Sequence, residues 1–308
     1  MQEDCMKRAI IDIGTNSVRL LEAERNESED WIICKKEINS TRLGEGMSDS
    51  SKILEAAKER TLKAIREFSD MAKLDGYADI KGYGTSIMRD AVNGAEFADE
   101  IYSSTGIPVR ILSGREEAFY SYMGAAGNSG VITSVVDIGG GSTEICLGFG
   151  NDIGMRYSFH LGAVRCSHLF DSTSPRGLGE IKKYCFDMFR RTDLINEANA
   201  VKNWIAVGGT ATSMAAILQE LEIYDSSKVQ GYIMNQDTVT GLLERLCHMT
   251  YDERCHLPGL RPERADIIVA GVVILDALME YFAIPEIRVS DRDLSEGLLD
   301  ADIVMPKD

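Results

Sequence analysis

The sequence predicts an α/β protein made of two similar domains that face each other across a cleft. A chain of 308 residues is longer than one small core usually organises. Short apolar runs alternate with helix-period segments along its length, the order of a layered α/β fold. The segment Asp12-Ile-Gly-Thr-Asn-Ser-Val-Arg-Leu returns as Asp137-Ile-Gly-Gly-Gly-Ser-Thr-Glu-Ile, with Asp, Ile, Gly and Ser matched at a constant separation of 125 residues, from 12 to 137. A repeat of that length is a duplicated domain, not a solenoid period. The domains are expected at 1–126 and 127–308.

Apolar runs at 9–13 and 18–23, joined by a Gly-containing turn, read as a hairpin, and a third strand follows at 31–38. Ile53, Leu54, Ala57, Leu62, Ile65 and Phe68 recur at helical spacing and predict a helix over 50–72, with Ser50 or Ser51 as its N-cap. Strand 80–83, helix 91–104, strand 109–112 and helix 115–126 complete the first half. The second half opens on strands 132–138 and 143–149. Helices at 163–170, 179–189, 210–221, 236–248 and 263–282 follow, with strands at 204–207 and 287–289.

With 44% hydrophobic and 27% charged residues, the composition is that of a globular protein. Its net charge of −16 argues against a broad grip on nucleic acid or an anionic membrane, so an anionic substrate must be held locally. The opening MQEDCMKRAIIDIG lacks the basic region and long apolar core of a secretory signal, which predicts a cytoplasmic protein. The longest apolar candidate, 267–278, carries Asp276 and falls short of the roughly 20 residues a spanning helix needs. Seven cysteines without a C-x-x-C pair suit reduced thiols. Neither a G-x-x-x-x-G-K-[ST] loop nor a G-x-S-x-G elbow is present. Cys247-His248 and Cys255-His256 match no zinc spacing and read as structural.

Each Asp-Ile-Gly-x-x-Ser lies at a hairpin tip, where glycine allows close backbone approach and N–H groups can face an anion. A carboxylate beside such a loop repels phosphate unless a cation intervenes. Asp137 and Glu144 are therefore candidate ligands of a divalent ion such as Mg²⁺ that also touches phosphate. Ser113-Gly-Arg-Glu-Glu-Ala118 opens a helix. Its acid pair suits the helix N-terminus, and one carboxylate facing the cleft would also suit a general base. Arg89, read on a strand-to-helix loop, is suited to bidentate phosphate contact. Gly208-Gly-Thr210 joins a strand to a helix N-terminus that could hold phosphate or simply pack closely.

Taken together, DIGTNSVRLL (12–21), TRLGEGM (41–47), YGTSIMRDAVN (83–93), ILSGREEA (111–118), VVDIGGGSTE (135–144), LGAVR (161–165), VGGTATSMAA (207–216), LPGLRPERADIIVAG (257–271) and VSDRDLSEGLL (289–299) resemble the exopolyphosphatase/guanosine pentaphosphate phosphohydrolase family. The resemblance implies two ribonuclease H-like domains of the actin, Hsp70 and sugar kinase superfamily, of the short two-domain type. It implies metal-dependent release of terminal phosphate from polyphosphate, from guanosine pentaphosphate, or both. On matching positions, Glu117 looks like the general base, with Arg89 beside it in catalysis. Asp137 and Glu144 look like the acids that bind Mg²⁺ or Mn²⁺. Asn16, Ser17, Arg89 and the loop of Gly139, Gly140, Gly141, Ser142 and Thr143 look like the phosphate cradle, and Gly208, Gly209, Thr210 and Arg264 are added to it as further phosphate-binding candidates. A homodimer is the family-level expectation. Two positions depart from the closing family pattern, with Asp293 in place of glycine and Ser295 in place of arginine. The short chain and its negative charge favour short polyphosphate or a nucleotide. A small-molecule kinase and a non-catalytic guanosine tetra- or pentaphosphate-binding regulator remain the readings of other classes on the same fold.

Overall fold

The computed structural model describes residues 6–46, 51–127 and 129–301. Its contacts divide the described chain into two units, one of residues 6–116 joined by 298–301, the other of residues 117–297.

In the first unit, β1 (Lys7–Ile13), β2 (Val18–Arg25) and β3 (Trp31–Asn39) form an antiparallel meander. After α1 (Glu55–Leu74), β4 (Asp79–Gly84) joins parallel to β1. After α2 (Ser86–Asp90) and α3 (Gly94–Thr105), β5 (Val109–Ile111) joins parallel to β4. The sheet order is β3-β2-β1-β4-β5. β1 is central and buried from Arg8 onward, which is why it reads as a continuous apolar run. Its Ile11 and Ile13 share a core with Leu20, Ile65, Phe68 and Phe97.

The first unit departs from the sequence expectation at two places. α1 begins at Glu55, after an N-cap Leu54 that makes no side-chain cap bond. Ser50 lies outside the described residues. The Ser51 carbonyl accepts from Val92, and Asn93 bonds both backbone groups of Ile53, so the approach to the helix is fixed from elsewhere. The helix expected over 91–104 is α3, which starts at Gly94, and a separate short helix, α2, precedes it, because the chain turns extended at Ala91 between the two. Gly94 permits that turn, since a Cβ there would stand 1.8 Å from the Met88 carbonyl oxygen.

α4 (Gly114–Ala126) carries the chain across the contact division, which falls at 116/117. In the second unit, β6 (Ile132–Ile138), β7 (Thr143–Phe149) and β8 (Asp152–Phe159) repeat the antiparallel meander. The chain continues through α5 (Ala163–Leu169), α6 (Pro175–Phe189) and α7 (Leu194–Glu197) to β9 (Asn203–Val207), parallel to β6. Then come α8 (Gly208–Leu218), α9 (Ser226–Val229), β10 (Ile233–Asn235), α10 (Gln236–His248) and α11 (Tyr251–Cys255). α12 (Ile268–Tyr281), β11 (Glu286–Val289) and α13 (Leu294–Gly297) close the unit.

The sheet order β10-β11-β9-β6-β7-β8 repeats that of the first unit, read as β8-β7-β6-β9-β11, with β10 added as an antiparallel edge. The two units thus share a ribonuclease H-like strand order, the duplication expected from the Asp-Ile-Gly repeat. Residues 268–279 of α12 are buried on every side. Asp276 within it is satisfied by Gln236 and Thr240, both at 2.7 Å, and by Lys182 at 3.1 Å. The helix expected from 263 is a 3-10 turn, Pro262–Arg264, before α12 starts. α2, β8, α7, α9, β10, α11 and α13 have no counterpart among the sequence expectations.

Candidate active site

In the second unit, the β6–β7 turn is closed by the Gly139 N–H donating to the Ser142 carbonyl at 3.0 Å. Its carbonyls are drawn to one side. Gly139 accepts from Ala163, Gly140 from Val164 and Arg165, and Gly141 from Arg165 Nε at 2.7 Å. Gly162 allows this approach, because a Cβ there would lie 2.3 Å from the Gly140 oxygen. The N–H groups of Gly140 and Gly141 donate to no backbone carbonyl among the described residues. A turn with its carbonyls tied off and N–H groups unspent suits an oxygen anion.

Asp137 and Glu144 face each other directly across the β6–β7 ladder. Facing positions project on one side of the sheet, so the two carboxylates are neighbours. Ser121 of α4 donates to Asp137 Oδ2 at 2.8 Å, and Ser158 of β8 to Glu144 Oε1 at 2.6 Å. Asp137 Oδ1 lies against Gly208, whose φ of +80° and lack of a side chain are both required, since a Cβ would come within 2.5 Å of that oxygen. At the next residue, a Cβ on Gly209 would lie 2.1 Å from the Arg264 guanidinium carbon. Asp137, the N-terminus of α8 and Arg264 are therefore one neighbourhood. Two hydroxyls expected to touch phosphate are bonded to backbone carbonyls: Thr143 to Leu161, and Thr210 to Ile138 at 3.2 Å. Ser142 is buried at the turn.

The two acids of SGREEA have different surroundings. Glu116 and Ser113 form a reciprocal capping box, with Ser113 N–H to Glu116 Oε2 at 2.8 Å and Glu116 N–H to Ser113 Oγ at 3.2 Å. Partial burial pushes the Glu116 carboxyl up, but the Ser113 bonds and the Arg110 guanidinium outweigh it and hold its pKa below the usual range. Glu117 is buried, one helical turn before Ser121 and about 6 Å from it along α4. The sequence left open which acid serves the helix end, and it is Glu116.

α4 is locked by close backbone contact with α13. A Cβ on Gly124 would stand 1.9 Å from the Asp293 oxygen, and one on Gly297 1.9 Å from the Tyr120 oxygen. The two departures from the family pattern lie at this contact. Asp293 accepts from the Ser295 N–H at 3.0 Å, and its own N–H donates to Glu296 at 2.8 Å. In place of glycine and arginine, the chain has a capped, buried turn.

The first unit carries a related loop. The Thr15 and Asn16 carbonyls accept from Gly44 and Arg42, as those of the second loop accept from α5. TRLGEGM and LGAVR thus do the same work on the two loops. Asn16 donates to Ser17 Oγ at 3.2 Å, and Ser17 and Ser40 hydroxyls are 3.4 Å apart. Thr85 bonds the Ile13 carbonyl as Thr210 bonds that of Ile138, again 125 residues on. Arg89 is on α2 rather than on a loop, and Nη1 donates to the Leu112 carbonyl at 2.9 Å. It ties α2 to the segment that opens α4. Ser121 and Ser158, which bond the two candidate acids, were not among the residues the sequence singled out. No motif marks them, because packing brings them to the acids.

A family profile described as the Ppx/GppA phosphatase family matches residues 23–304. The chain belongs to the Ppx/GppA phosphatase family. A bifunctional 3-dehydroquinate synthase/phosphatase of Fusobacterium nucleatum is 30% identical over 316 residues, covering 95% of this chain and 46% of that protein. The chain spans about half the length of that relative. Exopolyphosphatase 2 of Mycobacterium tuberculosis is 29% identical over 311 residues, covering 94% of this chain and 96% of its own. Among solved structures, an exopolyphosphatase-like protein superposes with a TM-score of 0.90 at 26% identity, covering 97% of this chain and 98% of that one. The Aquifex aeolicus Ppx/GppA family member gives 0.79 at 26% identity, with the same coverage.

Proposed function

We propose that this Ppx/GppA chain releases the terminal phosphate of inorganic polyphosphate, short chains foremost, and of guanosine pentaphosphate, with Mg²⁺ or Mn²⁺ bound by Asp137 and Glu144. The observation that carries the reading is the acid pair beside a turn whose carbonyls are tied away. Facing carboxylates repel, and a divalent cation removes the repulsion. The donor set fits such an ion, since Mg²⁺ is usually held by one or two carboxylates with the rest supplied by phosphate and water. When bound, the cation neutralises charge on the phosphate oxygens.

The chain's own residues have distinct tasks. The Gly140 and Gly141 N–H groups and Arg264 bind phosphate oxygens, and Arg89 holds α2 to the start of α4. Glu117 accepts a proton from water as the water oxygen bonds to the terminal phosphorus and the phosphoanhydride P–O bond breaks. The bond electrons leave on the bridging oxygen of the shortened polyphosphate or nucleotide, and the terminal phosphate departs bearing the water oxygen. Named relatives support the substrate class, since the Mycobacterium tuberculosis protein is called an exopolyphosphatase.

The test is phosphate release by the full chain with Mg²⁺ on short polyphosphate, long polyphosphate and guanosine pentaphosphate. Glu117→Gln is expected to lower kcat by about 10²–10⁴-fold, the usual contribution of a general base, and a chelator to abolish release until Mg²⁺ is restored. Full activity in the chelator or in the variant would sink the reading. Saturable guanosine pentaphosphate binding without phosphate release would make the chain a regulator instead.

A further inference from the structure

The duplication supplies an internal comparison for the acid pair. In the first unit Asp12 faces Arg19, and the residue beside Arg19 on β3 is Ile38. In the second unit Asp137 faces Glu144, and the residue beside Glu144 on β8 is Ser158. An acid–base facing pair has become an acid–acid pair, and the apolar neighbour has become a hydroxyl. A second hydroxyl, Ser121, reaches Asp137 from α4. The hydroxyl donors accompany the two acids and come from two elements outside the β6–β7 hairpin.

Each bond fixes one oxygen of its carboxylate and so sets the direction of the other. Ser158 takes Glu144 Oε1, and Glu144 is itself buried. Ser121 takes Asp137 Oδ2, while Gly208 bounds the space around Oδ1. Like charges facing across a ladder repel, and these two bonds oppose their turning apart. With them, both carboxylates are held before any cation arrives, and the ordering cost of binding falls.

We propose that Ser121 and Ser158 are positioning residues that orient Asp137 and Glu144 for a divalent cation; this rests on the cation reading given above. Because Ser121 follows Glu117 by one turn of α4, it also ties the register of Asp137 to that of the base.

The experiment measures Mn²⁺ binding to the full chain without substrate, from the electron paramagnetic resonance signal of free Mn²⁺. Wild type is compared with Ser121→Ala, Ser158→Ala and Ser158→Thr, with thermal unfolding recorded for each. Either alanine variant is expected to lose affinity by about 10- to 100-fold, the usual effect of removing a partner of a metal ligand. Ser158→Thr, at an exposed strand position, keeps the hydroxyl and should restore it. In phosphate release, the alanine variants should need more Mn²⁺ but approach the wild-type kcat once saturated. Wild-type Mn²⁺ affinity in both folded alanine variants would overturn the proposal and leave the cation reading standing, as would a threonine variant no better than alanine. A wild-type chain that binds no Mn²⁺ would overturn the cation reading and this proposal with it.

Discussion

Gly208 concentrates the site's local constraints in one residue. Its φ of +80° lies in the left-handed region, and its missing side chain leaves room for Asp137 Oδ1. An alanine there faces backbone strain of about 1–2 kcal/mol together with a Cβ 2.5 Å from the carboxylate. Gly231 in the same unit has a φ of +82°, yet its nearest Cβ neighbour would be Arg288 at 3.8 Å. The two positions separate strain from function. Gly208→Ala should lose stability and about 10- to 100-fold in phosphate release, as when support for a metal ligand is disturbed. Gly231→Ala should lose comparable stability and keep its activity. Equal activity in the two variants, assayed after urea unfolding has ranked their stabilities, would show that Gly208 does not set Asp137.

At the scale of the element, α6 shows how two glycines in one helix do opposite things. Ser174 caps it through the Gly177 N–H at 3.1 Å, and Pro175 starts its first turn. A Cβ on Gly177 would stand 1.9 Å from the Asp171 oxygen, whereas one on Gly179 would meet nothing within 4 Å. Gly179→Ala should raise stability by about 0.5–1 kcal/mol through the unfolded chain. Gly177→Ala should lower it by about 1–3 kcal/mol through overpacking. Urea midpoints that move the same way for both would refute the assignment.

Elements of this kind also show what was legible in the sequence. β6, β7 and α10 occupy the expected residues because their apolar periods are clean and turn residues bound them. β8 was missed because Asp152–Phe159 mixes Gly154, Arg156 and Ser158 into an edge strand with few buried positions, although the duplication itself called for a third strand. The acid pair and both loops were readable because their residues fall within single short stretches of sequence, the acids seven positions apart across one hairpin. Ser121 and Ser158 were not, since only the packing of α4 and β8 against the hairpin gives them a partner.

At the scale of the whole molecule, the chain is strongly acidic yet its candidate ligands are anions. Screening over about 8 Å makes a local guanidinium or a group of N–H donors count for more than the net charge. The fold is also discontinuous in sequence. The chain leaves the first unit at 116, and residues 298–301 return to lie against β1. Arg8 donates to the Leu299 carbonyl, and Asp300 Oδ1 accepts from Arg25 at 2.6 Å and from Trp31 Nε1 at 2.9 Å. The Arg25 guanidinium also stands over the Trp31 ring, 4.9 Å from its centroid. One carboxylate therefore secures the return segment to β2 and β3, residues 275 and 269 positions earlier in the chain. Asp300→Ala leaves two donors without their shared acceptor. It should cost about 1–2 kcal/mol, the lower part of the range for bonds to a charged group because Asp300 is partly exposed. Trp31 and Trp204 are the two tryptophans, so in a Trp204→Phe background the emission reports the first unit alone. A shifted native Trp31 emission together with a lowered unfolding midpoint is the expected result. An unchanged spectrum and midpoint would mean that the return segment does not hold the first unit closed.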